Sequence, residues 1–134
     1  MLPQRYRLRR SADLKRVRTE GRGRRHPLAI LVVRRQESSA ITVDNGRSTK
    51  NVSRFAFSAS RHVGSAVVRN RAKRLLREAV RAHIDQVEPG WDCLLIARPQ
   101  TPTATFAEVE TAVQQLLSRS HILSRRATDN QNNA

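Results

Sequence analysis

Aromatic residues, acidic residues and cysteine are all scarce in this chain of 134 residues. It has one cysteine, one tryptophan, one tyrosine and three phenylalanines. The lone Cys93 excludes an intramolecular disulfide framework and a cysteine-rich zinc site. It falls within an apolar run and reads as a core residue, with no histidine motif nearby to make it a nucleophile. Acidic residues number 11 against 26 Lys and Arg. They form no pair placed for acid–base or metal work, and His26, His62, His83 and His121 are too scattered to suggest metal ligands. No apolar run reaches the roughly 18–20 residues of a membrane span. The first ten residues are charged without a following apolar stretch, so no secretory signal is expected and a cytoplasmic address is the default.

Positive charge is abundant, and it is unevenly placed. Residues 1–77 hold 21 basic and 4 acidic side chains, whereas residues 78–134 hold 5 and 7. All the cations but Lys15, Lys50 and Lys73 are arginine, whose planar fork matches phosphate. This imbalance points to a nucleic-acid partner.

The apolar residues cluster with clear periodicity, which predicts one small folded domain over 1–126. After a basic arm at 3–10, Ser11 reads as the N-cap of a short helix, with Asp13 in its first turn and Gly21 at its end. Leu14 and Val17 share a face of that helix. Arg22-Gly-Arg-Arg-His26 reads as a basic loop or edge strand, and Leu28–Val33 as a buried strand. Residues 36–53 are polar, contain the turn dipeptide Asn45-Gly46 and read as a flexible connection with a short strand near Ala40–Val43. The alternation in Phe55–Ser60 predicts a strand with Phe55, Phe57 and Ala59 on one side. Trp91–Ala97 reads as a buried strand. Thr105-x-x-Glu108 opens a last helix whose apolar face is Phe106, Val109, Val113, Leu116 and Leu117. Residues 127–134 are polar and read as a disordered tail. The order of elements gives an α/β (α+β) sandwich with one mixed sheet.

The strongest helix begins after Gly64, with Ser65 as its N-cap. Val68, Ala72, Leu75, Leu76, Ala79 and Ala82 gather on one arc, while Asn70, Lys73, Arg74, Arg77 and Arg81 gather on the other and Arg69 and Arg71 flank them. Such a concentration of cations, with only Glu78 and Asp85 near to offset it, repels itself unless an anion neutralises it. Arg61 and His62 stand where a strand end, a glycine and a helix N-terminus present free N–H groups to an anion.

The run Ser58-Ala-Ser-Arg-His-Val-Gly-Ser-Ala-Val-Val-Arg-Asn-Arg-Ala-Lys-Arg-Leu-Leu-Arg77 closely resembles the signature of the bacterial ribonuclease P protein subunit. The likeness extends from about Arg7 to about Leu123 and includes Arg7-Leu8, Asp13 and Ile96-Ala97-Arg98. It implies an α-β-β-β-α-β-α fold with a left-handed β-α-β crossover. It implies a protein without catalytic residues of its own, which binds a catalytic RNA subunit and the 5′ leader of precursor tRNA and assists endonucleolytic removal of that leader. Magnesium ions, held mainly by the RNA, would be the cofactor, and no obligatory protein partner is expected. By this resemblance Arg61, His62, Arg69, Asn70, Arg71, Lys73, Arg74 and Arg77 contact the RNA subunit, and Arg9, Arg10, Leu14, Val32 and Leu123 line the leader cleft. The family's cleft usually carries aromatics, whereas Leu14, Val32 and Leu123 are aliphatic, and Ser65 stands where the family has asparagine. Two rivals are a ribosomal or chaperone-type RNA-binding module, against which the Arg69-Asn70-Arg71 signature speaks, and a metal-dependent protein nuclease, against which the lack of clustered carboxylates speaks.

Overall fold

The computed structural model describes residues 2–36, 42–44, 47–49 and 52–123. Helix α1 spans Ser11–Glu20 and leads through Gly21 into strand β1, Arg22–His26. A two-residue turn, in which the Leu28 N–H donates to His26 Nδ1 at 3.1 Å, returns the chain as β2, Ala29–Arg35. Strands β3 (Thr42–Asp44) and β4 (Arg47–Thr49) pair as a separate small hairpin. Strand β5 (Arg54–Ser58), helix α2 (Ala66–His83), strand β6 (Trp91–Ala97) and helix α3 (Phe106–Arg119) follow.

The main sheet has the order β1-β2-β6-β5, with β5 and β6 parallel and the other pairs antiparallel. Strand β6 is central and pairs along its whole length with β2, so its apolar run fills both faces. The strand period divides the core in two. On one face Leu31, Val33, Phe55, Cys93 and Leu95 pack with α2 and α3. On the other, Ala56 and Leu94 pack with Leu8 and Val17, and Leu14, Val32 and Ile96 lie partly buried around them under α1.

The structure corrects several expectations. The N-cap of α1 is Arg10, in extended backbone, and Ser11 is already helical. Gly21 ends α1 at an ordinary φ of −76°; it is required by space, since a Cβ there would lie 2.3 Å from the Val17 carbonyl oxygen and 2.6 Å from Val32 Cγ1. In α2 the buried arc is Ala72, Leu76, Ala79 and Val80, while Ala82 is exposed, because the sheet and α3 meet the helix further round than the apolar count suggests. Phe106 is 42% exposed at the start of α3, where Ala112 joins the buried face instead. The connection at 36–53 contains the β3–β4 hairpin. The expectations for Asn45-Gly46 and for residues 127–134 fall outside the described residues.

The N-terminal segment is bound into this frame. Leu2 is fully buried, Arg7 Nε donates to the Leu2 carbonyl at 2.7 Å, and the Leu8 N–H donates to the Phe55 carbonyl at 2.8 Å. Arg7 thereby lies beside Phe55 as a parallel bridge along the outer edge of β5.

Candidate nucleic-acid interface

Gly64 shapes the entry to α2. Its φ of +145° lies where side chains are strained, and a Cβ would stand 2.9 Å from Val68 Cγ1. The preceding turn, Arg61–Val63, buries Val63 and leaves Arg61 and His62 exposed. Ser65 caps the helix, its side chain accepting from the Val68 N–H at 3.5 Å. The helix then runs for 18 residues with six cations and one acid, Glu78, which stands 3.8 Å from Arg81. An exposed pair of this kind contributes little. The face therefore keeps a strong positive field beyond its own turns.

Two grooves flank this helix and share one residue. An outer hollow of about 400 Å³ is lined by Val67, Asn70, Arg71, Arg74 and Arg77. Val67 is 75% exposed there, an apolar surface set among guanidinium groups. An inner groove of about 370 Å³ runs between α2, β5 and the N-terminal segment, with Arg7, Arg9, Leu14, Phe57, Lys73 and Arg77 in its wall. Arg77 forms the ridge between them, its guanidinium carbon 5.7 Å from the centre of the Phe57 ring. Stacking of this kind fixes an arginine without neutralising it.

The expected site residues are thus sorted by position. Asn70, Arg71 and Arg74 are exposed on the outer hollow, Lys73 faces the inner groove, and Arg69 is half-buried on the flank. Arg9 and Leu14 line the inner groove, Arg10 is exposed at the start of α1, and Val32 is half-buried beneath α1. Leu123 does not join them. It is 6% exposed, bridges Val87 and belongs to the core on the α2–α3 side of the sheet, the face opposite Leu14 and Val32. Sequence reasoning missed Arg7 and Phe57 as groove residues. The alternation that sent Phe57 toward the core was right, but β5 is an edge strand, and its core side opens at that edge.

A half-buried ion pair ties α1 to the sheet. Arg54 donates from Nε and Nη2 to Asp92 at 3.0 and 2.9 Å, and Gln36 Nε2 donates to the same carboxylate at 2.9 Å. Arg54 Nη1 also lies 3.7 Å from Asp13 of α1. Cys93 is fully buried; burial, and secondarily the Asp92 carboxylate, pushes its thiol well above its ordinary pKa, which is opposite to what an activated nucleophile needs. Among the described residues, no three His, Cys, Asp or Glu side chains converge as a metal cage.

Residues 2–121 match the family described as Ribonuclease P. The "Ribonuclease P protein component" of Herpetosiphon aurantiacus is 35% identical over 116 residues, covering 87% of this chain and 85% of that protein. The protein of the same name from Dehalococcoides mccartyi is 37% identical over 106 residues, with coverages of 70% and 87%. Among solved structures, the RNase P protein of Staphylococcus aureus superposes with a TM-score of 0.72 at 21% identity, covering 89% of this chain and 98% of that one. That of Thermotoga maritima gives 0.68 at 24% identity, with coverages of 84% and 96%.

Proposed function

Because the chain belongs to the ribonuclease P protein family, we propose that the outer face of α2 seats it on the RNA subunit and that the face bearing α1 receives the 5′ leader of precursor tRNA. Ribonuclease P is a ribonucleoprotein endoribonuclease of tRNA 5′ processing, and this chain is its accessory protein subunit, with the ribonuclease P RNA and the tRNA substrate as partners. No helix among the described residues is long and apolar enough to cross a membrane.

The observation that carries the proposal is the charge of α2, six cations against one acid on a helix anchored in the core through Ala72, Leu76, Ala79 and Val80. The apolar arc holds the helix backbone, so the cations are rooted at fixed spacing, and only their side chains have to be ordered on binding. In this reading Asn70, Arg71 and Arg74, with Arg61, His62 and Arg69 beside them, contact phosphates of the RNA subunit. Lys73 and Arg77 face the inner groove with Arg9, so RNA bound on α2 and a leader strand entering beside Leu14 would meet there. Arg10 and Val32 border the leader path. On the α1 side of the path, where Leu14 and Val32 are aliphatic, base stacking, which is worth about 1–3 kcal/mol per base, contributes less and phosphate contacts carry more; Phe57, at the β5 edge, is the aromatic wall residue left to supply it. The hydrolysis would belong to the RNA and its magnesium ions; the protein's part is to bind, orient and offset phosphate repulsion. The site of action would be the cytoplasm, without an obligatory protein partner.

The test is Arg71→Ala and Arg74→Ala, singly. Both side chains are exposed and outside the core. Each variant should melt like the unsubstituted protein and bind the RNA subunit about tenfold more weakly, equivalent to about 1.4 kcal/mol. Unchanged affinity for the RNA subunit, whether or not the melting temperature falls, would remove these residues from the RNA interface.

A further inference from the structure

Strand β1 carries charge that the α2 interface cannot use. It lies at the opposite edge of the sheet from β5, three strand spacings of about 4.8 Å away. One side of β1 pairs with β2; its other side pairs with no strand among the described residues. Arg22, Gly23, Arg24 and Arg25 are all exposed, and none of the three arginines has an ion-pair partner among the described residues. The acid just before the strand, Glu20, is held by Arg34 at 2.7 Å. Arginines on an edge strand also discourage pairing with a second sheet, and that alone would account for one or two of them. It does not account for the floor beside them.

That floor is open at Gly23. The residue lies opposite Val32, on the face that bears α1, and an added Cβ would meet nothing within 4 Å. Gly21 is crowded against α1, so the helix ends tightly, while two residues on, at Gly23, an added Cβ would find open space among the described residues. A single strand leaving the α1 face over Gly23 would meet no side chain from that residue. It would then pass Arg25 on that face and Arg22 and Arg24 on the other side of the same strand.

We propose that β1 takes the phosphates of the upstream part of the 5′ leader, the nucleotides beyond those held beside α1. The proposal rests on the leader path described above, and the partner is fixed by charge: an extended polyphosphate strand wrapping the sheet edge meets three arginines without ion-pair partners among the described residues, Arg25 on one face and Arg22 and Arg24 on the other. The contact would be independent of base sequence, since phosphate contacts position a strand without reading it.

The experiment uses the holoenzyme reconstituted from the full chain and the RNA subunit, titrated with precursor tRNAs whose leaders are graded in length, under conditions that suppress cleavage. The variants are the triple Arg22→Ala/Arg24→Ala/Arg25→Ala and the matching triple to Gln. The Gln form keeps the side-chain bulk should the Ala form lose stability. For the unsubstituted protein, affinity should rise with leader length to a plateau. For the variants, mature tRNA and short-leader precursors should bind unchanged, and the gain from the upstream nucleotides should disappear. The salt slope for long-leader precursor should fall by about 0.7 for each phosphate that β1 no longer neutralises. Equal losses of affinity for mature, short-leader and long-leader tRNA would place β1 on the RNA subunit and overturn the proposal. No loss at any length would leave β1 as a solvated edge and overturn it too. Failure of the α2 reading would instead appear in assembly of the protein with its RNA subunit, which the β1 variants should leave unaltered.

Discussion

At Gly21 one methyl group would collide at once with the Val17 carbonyl and the Val32 side chain. Both neighbours are fixed, the first in the last turn of α1 and the second in β2. Gly21→Ala should therefore destabilise the fold by about 1–3 kcal/mol, the usual cost of overpacking, read as a lower midpoint in denaturant unfolding. Gly23→Ala, with open space around it, is the control and should change stability far less. The sequence revealed Gly21 as a helix stop, since glycine after a periodic segment is a local signal. It could not reveal the reason, because Val32 meets that glycine only through the sheet. The same limit applies to Leu123: its apolar character was legible, but the face of the sheet it joins depends on the bridge to Val87.

At the scale of elements, α3 shows what local chemistry can decide. Thr105 Oγ1 accepts from the Glu108 N–H at 3.2 Å, and the Thr105 N–H donates to Glu108 Oε1 at 3.0 Å. All the partners lie within four residues, so the capping box was readable without any tertiary information. Thr105→Ala should cost about 1 kcal/mol of stability in thermal or chemical unfolding. The Thr105 N–H and hydroxyl hold the Glu108 carboxyl below its ordinary pKa. This contribution is present above the ordinary carboxylate range and is lost as pH falls through the lowered value. Thr105→Ala keeps the backbone N–H, the larger of the two, and removes only the hydroxyl, so it should make that part of the acid limb of a stability–pH profile shallower without abolishing it. Strand β6 was equally legible, Trp91–Ala97 matching its apolar run to the residue, because a central strand is apolar on both faces. Phe106 and Ala82 were misplaced for the converse reason: a helical wheel gives the arc, and only the neighbouring elements decide how much of it is covered.

The whole molecule carries a formal charge of +15, and the two grooves, α2 and β1 spread that charge over both edges of one sheet. Binding to the RNA subunit should consequently weaken steeply with salt, with a log–log slope of roughly −0.7 to −0.9 per phosphate neutralised. A titration series over ionic strength measures how many phosphates are engaged, and a flat series would contradict an electrostatic interface. The direction of this field was legible from composition, but its division between grooves was not. Arg9, Lys73 and Arg77 come together only because the N-terminal segment is laid along β5.

The central place of β6 also bears on how the polypeptide is made. The β1–β2 hairpin and β5 are not neighbours in the sheet; each pairs with β6, the last strand to leave the ribosome. Until residues 91–97 emerge, the nascent chain holds two unjoined pieces of sheet and an already synthesised α2 whose apolar arc has nothing complete to rest on. The sheet that α2 packs on can therefore close only once β6 is available, which makes completion of the fold a late event in synthesis.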